Sequence, residues 1–263
     1  MSKTNRIEKA FEKKAFVTFI TGGDPTIETS EKLILAMAKA GADVIEIGIP
    51  FSDPVAEGIV IQSADERALA SGCTTDKLFS MVKRVRKQID TPLLFMTYLN
   101  PIYTYGKAKF MENAKSCGID GVIVPDMPFE ERDELADICS EHEIDLILMI
   151  APTSKERIAM IAKESKGFLY CVSSLGVTGV RQKINTDIKA MIDQVKQVST
   201  TPCAIGFGIS TPEQAATMAN LADGVIVGSA IVKIVEQYGT DSVDAVYAYT
   251  KEMKEAIRAT TKA

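Results

Sequence analysis

The sequence predicts an α/β fold, a closed (β/α)₈ TIM barrel with an extra N-terminal helix. Three observations lead there: eight short apolar runs rich in β-formers, amphipathic stretches between them, and a length of 263 residues. That length suits one barrel, so residues 1–263 are expected to form a single domain.

In chain order, a charged segment comes first. Residues 4–13 read as a helix in which Ile7 and Phe11 stand one turn apart, placed to plug the bottom of the barrel. The apolar runs follow at 15–21, 42–50, 91–98, 121–126, 145–152, 167–172, 202–209 and 223–228. Their near-continuous hydrophobicity suits parallel strands covered on both faces. Helical patterns lie between them, as at Glu31 to Ala38 and at Leu78, Met81, Val82 and Val85 on a charged background. Gly41, Gly118 and Gly167 stand where helices should end, the position glycine commonly caps. A doubly wound open sheet is the alternative, but no GxGxxG or Walker sequence follows the first run.

The net charge of −5 is spread through the chain, which disfavours nucleic acid or an anionic membrane as partner, since both call for a basic face. The five cysteines (Cys73, Cys117, Cys139, Cys171, Cys203) are scattered and form no CxxC, as in reduced cytoplasmic proteins. No signal peptide is legible at the N-terminus, and stretches such as Leu146 to Pro152 are too short to span a bilayer. The expected location is the cytoplasm.

In a barrel the chemistry belongs at the C-terminal ends of the strands. Glu46 interrupts the apolar run Val44-Ile45-Glu46-Ile47-Gly48, where alternation puts it on one face with Val44 and Gly48. A carboxylate there is costly unless paired, protonated or used. The alternative is a carboxylate satisfied by structural hydrogen bonds. The loop Phe51 to Gly58 follows directly and brings Asp53 and Glu57, a source of the second carboxylate that proton-transfer chemistry needs. Acidic loops are more often simply solvated.

The seventh run ends Gly206-Phe207-Gly208-Ile209-Ser210, and the eighth ends Gly228-Ser229-Ala230 before a helical stretch to Tyr238. Glycines let backbone N–H groups approach an anion and a helix N-terminus attracts it, so the pair reads as a phosphate site rather than two tight turns. A further glycine-rich segment, Ser173 to Gly179, has the length of a lid over a phosphate. The only histidine, His142, lies in a charged stretch, so neither a histidine triad nor a metal cluster is available. No strand core carries a lysine for a Schiff base, because Lys233 falls on the last of these helices. Acid–base chemistry by carboxylates on a small phosphorylated substrate remains, without a metal or cofactor in this chain.

Gly48-Ile49-Pro50-Phe51-Ser52-Asp53-Pro54, Ile61-Gln62, Leu175-Gly176-Val177-Thr178-Gly179, Gly206-Phe207-Gly208-Ile209-Ser210 and Gly228-Ser229-Ala230-Ile231-Val232 together resemble the tryptophan synthase α-subunit family. Thr21-Gly22-Gly23-Asp24-Pro25 and Asn100-Pro101 extend the resemblance over roughly the whole chain. It implies retro-aldol cleavage of indole-3-glycerol phosphate to indole and glyceraldehyde 3-phosphate. The family's catalytic glutamate falls on Glu46 and its active-site tyrosine on Tyr170. Phosphate contacts fall on Gly179, Phe207, Gly208, Gly228 and Ser229, and apolar indole walls on Phe19, Tyr98 and Ile123.

The family's second catalytic acid is an aspartate in Ala-Asp-Gly-Pro. Here the stretch reads Ala56-Glu57-Gly58-Ile59: the charge is kept one methylene further from the backbone and the proline is lost. The resemblance further implies an α2β2-type complex with a β subunit that carries pyridoxal phosphate and receives the indole, with Asp53, Asn100 and Thr178 toward that partner. Two other readings stand beside it. One is another phosphate-binding barrel enzyme, which would lack the Pro-Phe-Ser-Asp-Pro segment. The other is a weakly catalytic subunit that activates its partner.

Overall fold

A computed structural model describes residues 5–151, 154–172, 188–206 and 208–260. Helix α1 (Arg6–Ala10) precedes β1 (Ala15–Thr21), α2 (Ile27–Ala40), β2 (Val44–Gly48), α3 (Ile59–Ala70), α4 (Thr75–Val85), β3 (Leu93–Met96), α5 (Leu99–Tyr105), α6 (Lys107–Cys117) and β4 (Gly121–Ile123). Then come α7 (Asp133–Glu141), β5 (Asp145–Ile147), β6 (Met149–Ile150), α8 (Lys155–Glu164), β7 (Leu169–Val172), α9 (Ile188–Lys196), β8 (Cys203–Gly206), α10 (Pro212–Leu221), β9 (Gly224–Val227), α11 (Ser229–Tyr238) and α12 (Val243–Ala259). All the recorded strand pairings are parallel. Among the described residues no helix is long and apolar enough to cross a membrane.

The sheet order is β5-β4-β3-β2-β1-β9-β8-β7-β6. Its two ends are successive pieces of one run, separated only by Leu148, whose carbonyl accepts the Tyr170 N–H at 3.0 Å. The first piece pairs with β4 and the second with β7. Eight runs therefore close into a barrel, and the open-sheet alternative is excluded. The run expected as one strand over 145–152 is instead two short pieces on either side of Leu148, the first paired with β4 and the second with β7.

Alternation sorts the strand side chains. Ile45 and Ile47 point outward into the layer between strands and helices, while Val44, Leu94, Ile123, Ala204 and Ile226 point into the barrel. Helix α1 closes the bottom of this interior. Ile7 is fully buried among the inward residues, and Phe11 stacks on Phe168 with ring centroids 5.1 Å apart. The helix is shorter than the ten residues expected, since Phe11 is already its C-cap and the chain must turn to enter β1. Asn5 caps it, accepting the Ile7 N–H at 2.9 Å and donating to Asp145 at the start of β5. At the other terminus Lys254 of α12 pairs with Asp43 and donates to the Lys14 carbonyl at 3.2 Å.

Gly41 and Gly118 cap α2 and α6 in the left-handed conformation, as expected. Gly167 does not: α8 stops at Glu164 with Ser165 as its cap. Gly167 instead has φ +64° at the entry to β7, where a Cβ would come within 3.0 Å of Asp145 and Ile147.

Truncation of the plug should be costly, because the barrel floor cannot collapse onto the space left. Ile7→Ala is expected to destabilise the fold by about 2–4 kcal/mol in urea denaturation. A loss below about 1 kcal/mol would mean that α1 is an ornament rather than a floor.

Candidate active site

Glu46 lies at the middle of β2, between Phe19 on β1 and Leu94 on β3. It points into the barrel with Val44, and its side chain is wholly buried. Neither carboxylate oxygen has a hydrogen-bond partner among the described residues. Burial alone pushes its pKa from 4.5 to about 8, so the group holds its proton at neutral pH. The structural hydrogen bonds that would make it a bystander are missing among the described residues. Tyr170 faces inward from β7, and burial and then the nearness of Glu46 raise its hydroxyl well above the usual range. Two glycines make room for the flanking aromatics. A Cβ at Gly48 would lie 2.7 Å from the Phe19 ring, and one at Gly206 would lie 2.7 Å from the Tyr170 ring.

The second carboxyl group arrives from the loop after β2. Glu57 precedes Gly58, the N-cap of α3, and Gln62 Nε2 donates to the Glu57 carbonyl at 2.8 Å. Tyr98, buried at the start of α5, accepts the Ala56 N–H at 3.0 Å and packs against Phe51. Burial raises the Glu57 pKa, and hydrogen bonds with Asp65 and Tyr98 offset only part of the rise. Its Oε2 is buried with no partner among the described residues.

Sequence reasoning missed Asp65. It is 4% exposed on the inner stripe of α3, beside Ile61, Ala64 and Ala68. Burial, followed by the charge and hydrogen bond of Glu57, pushes its pKa to about 9. An acid at an apolar-stripe position was the available signal, of the same kind that marked Glu46.

At the end of β9, Gly228 caps α11, and the N–H groups of Ile231 and Val232 both turn back to its carbonyl at 2.8 and 3.1 Å. Ser229 and Ala230, in the first turn, keep the free N–H groups of a helix N-terminus. A Cβ on Gly228 would meet Phe19 only at 3.4 Å, ordinary contact, so packing does not demand glycine there. Gly208 adopts φ +79° beyond β8. Gly179, Phe207 and the segment Ser173 to Gly179, Thr178 included, lie outside the described residues.

Phe19 packs against Ile61, Ala64 and Val232, joining β1, α3 and α11. Ile123 sits in the inner cluster with Val44, Leu94 and Tyr170. His142 is the C-cap of α7, its Nδ1 2.9 Å from the Ile138 carbonyl, away from these groups. Asp53 is exposed and accepts from Ser52 Oγ at 2.6 Å. The arrangement offers a buried acid holding a proton, a second carboxyl group with a free oxygen, apolar walls and a helix N-terminus for an anion.

The tryptophan synthase alpha chain family model matches residues 6–258. A tryptophan synthase alpha chain of Caldanaerobacter subterraneus is 47% identical over 235 residues, covering 87% of this chain and 90% of its own. The crystal structure of the Legionella pneumophila alpha chain superposes with a TM-score of 0.89 at 41% identity, covering 99% of this chain and 100% of that one. A chain from the tryptophan synthase α2β2 complex of Pyrococcus furiosus, described as mutually activating, superposes at 0.86 with 34% identity over 92% of this chain and 98% of that one.

The buried acid sets a pH signature on stability. Folded protein keeps the Glu46 proton up to about pH 8, whereas an unfolded glutamate releases it near 4.5. Raising the pH through that window therefore removes stability, at up to about 1.4 kcal/mol per pH unit. Urea titrations at several pH values should show Glu46→Gln gaining on the wild type across the window. A pH-independent difference would contradict a neutral, buried Glu46.

Proposed function

The chain belongs to the tryptophan synthase alpha chain family, and from that premise we propose the roles of its residues in the reaction. The protein cleaves indole-3-glycerol phosphate, giving indole and glyceraldehyde 3-phosphate. The observation that carries the assignment is Glu46: a carboxyl group inside the barrel, protonated, with both oxygens free of partners among the described residues.

Glu46 delivers its proton to indole C3. This makes the ring a cationic indolenine, with positive charge at the ring nitrogen. The carboxylate thus formed takes the proton of the side-chain hydroxyl as the bond from C3 to the glycerol carbon breaks. The electron pair of that bond returns to the ring, and the hydroxyl carbon leaves as the aldehyde. Glu46 ends protonated, as it began, so one residue serves as acid and base.

Glu57 accepts the indole N–H through Oε2 and stabilises the charge that develops there. The protonated heterocycle is the electron sink, so no lysine is needed. Tyr170 stands beside Glu46 at the reacting carbon. Phe19, Tyr98 and Ile123 form the apolar walls around the ring. Ser229 and Gly228 at the N-terminus of α11, with Gly208, hold the phosphate by backbone N–H groups. Gly179 and Phe207 are assigned to the phosphate by resemblance alone.

In this family pyridoxal phosphate resides in the β subunit. This chain pairs with such a subunit in an α2β2-type complex, as the Pyrococcus furiosus chain does. Val55 at 72% exposure, Ile59 at 80% and Tyr103 at 44% crowd the segments after β2 and β3, and such exposed apolar side chains suit a partner surface. Treating residues 1–263 as one domain belongs to the same reading, since α1 and α12 both pack on the one barrel.

Glu46→Gln keeps shape and removes the proton, and kcat for cleavage should fall about 10²–10⁴-fold. For the wild type, kcat/KM should decline as pH rises through about 8, where free Glu46 loses its proton. Retained activity in Glu46→Gln would remove the residue from the chemistry.

Gly228→Asp should fold, since its Cβ would make only ordinary contact with Phe19, yet place a carboxylate against the phosphate. KM should rise at least about tenfold. An unchanged KM in the folded variant would overturn the phosphate assignment.

A further inference from the structure

We propose that Asp65 is a positioning residue for the cleavage, its carboxyl group sharing one proton with Glu57 and fixing Glu57 as the partner that carries the charge. This rests on the reading of Glu57 as the carboxylate facing the indole N–H.

Both acids belong to one short stretch of chain. Glu57 is held to the first turn of α3 by Gln62, and Asp65 lies further along that helix, pointing inward. Their side chains are hydrogen-bonded to each other, Asp65 at 4% exposure and Glu57 half-buried. Two ionised carboxylates in one low-dielectric place repel strongly, so the pair keeps a single proton.

The surroundings decide which member keeps it. Glu57 has both the Asp65 carboxyl group and the Tyr98 hydroxyl lowering its pKa. Asp65 receives, among the described residues, the Phe51 N–H at a long 3.5 Å, and faces the charges of Glu57 and Asp24. Asp24 is itself clamped by Arg67 through two contacts of 2.9 Å, which spends that cation elsewhere. Cys73, the other titratable group near Asp65, is held as a thiol by burial. Asp65 is therefore the acid and Glu57 the carboxylate.

The pair answers a specific difficulty. The glutamate arm at position 57 has one more rotatable bond than the family's aspartate, and Ile59 stands where the family has a proline. A freely swinging carboxylate loses the fixed distance that charge stabilisation needs, and misplacement of about 1 Å can cost on the order of 10²-fold. A hydrogen bond from Asp65 stops the swing. One proton shared by the pair leaves a net charge of −1, which matches the single positive charge of the indolenine.

The test is cleavage kinetics of the full chain with its β subunit, on Asp65→Ala, Asp65→Asn and Asp65→Val, each also combined with Glu57→Ala. Asp65→Ala should lower kcat about 10- to 100-fold with KM within about threefold. Asp65→Asn, which still donates a hydrogen bond, should recover most of the rate. Asp65→Val, close in volume but unable to donate, should match Asp65→Ala and covers the case in which the smaller residue fails to fold. In the Glu57→Ala background, substitution of Asp65 should add nothing, the mark of residues that act as a unit. Equal losses with and without Glu57, or Asp65→Asn as damaged as Asp65→Val, would overturn the proposal. Wild-type cleavage by Glu57→Ala would instead overturn the role of Glu57, a result distinguishable from failure of Asp65 alone.

Discussion

A closed ring of parallel strands leaves its inward side chains no route to water except through its ends. Here one end is sealed by Ile7 and by the stacked rings of Phe11 and Phe168. The inward side chains above that floor are buried. Val44, Leu94 and Ile123 are content there, but Glu46 is not. A charge in that interior would be solvated by nothing, so the group keeps its proton, and keeping it makes it an acid at neutral pH. The barrel creates the reactivity by exclusion rather than by a dedicated activating partner. That is why one histidine at the distant end of α7 and the absence of strand lysines are no handicap.

The second carboxyl centre is built on the opposite principle. Glu57 comes from a loop, is anchored through its own carbonyl by Gln62 and is flanked by hydroxyl and carboxyl donors. The two environments push like groups apart in function, one toward proton delivery and the other toward charge. Retro-aldol cleavage needs both at once, because protonation of carbon and cation stabilisation at nitrogen occur on the same ring. Phe19 links the two halves physically. It neighbours Glu46 across β1 and β2, fills the space over Gly48 and touches the helices that carry Asp65 and the phosphate end.

Much of this was legible in the residue order. Eight runs, their burial and the shared face of Val44, Glu46 and Gly48 follow from local composition and a period of two, and the structure turns that face inward. The break at Leu148 was not legible, because it depends on which strands flank the run after closure. Gly167 looked like a helix cap, yet its positive φ serves the approach of Asp145 and Ile147, residues far from it in sequence. Asp65 escaped for a related reason. Within α3 a carboxylate between Ala64 and Glu66 reads as one more solvated charge, and only the folded loop brings Glu57 to it. The place of Asp65 on the stripe of Ile61, Ala64 and Ala68 could have marked it as buried, but its meeting with Glu57 is a tertiary fact that period does not carry.

The central claim is that Glu46 stands protonated in the free enzyme because the barrel buries it. Difference infrared spectroscopy of the wild type against Glu46→Gln isolates its carboxyl stretch from that of Asp65. The account predicts a carboxylic-acid band at neutral pH that disappears with a midpoint near pH 8. A Glu46 band already in the carboxylate form at neutral pH, titrating near 4.5 like a glutamate in water, would contradict it.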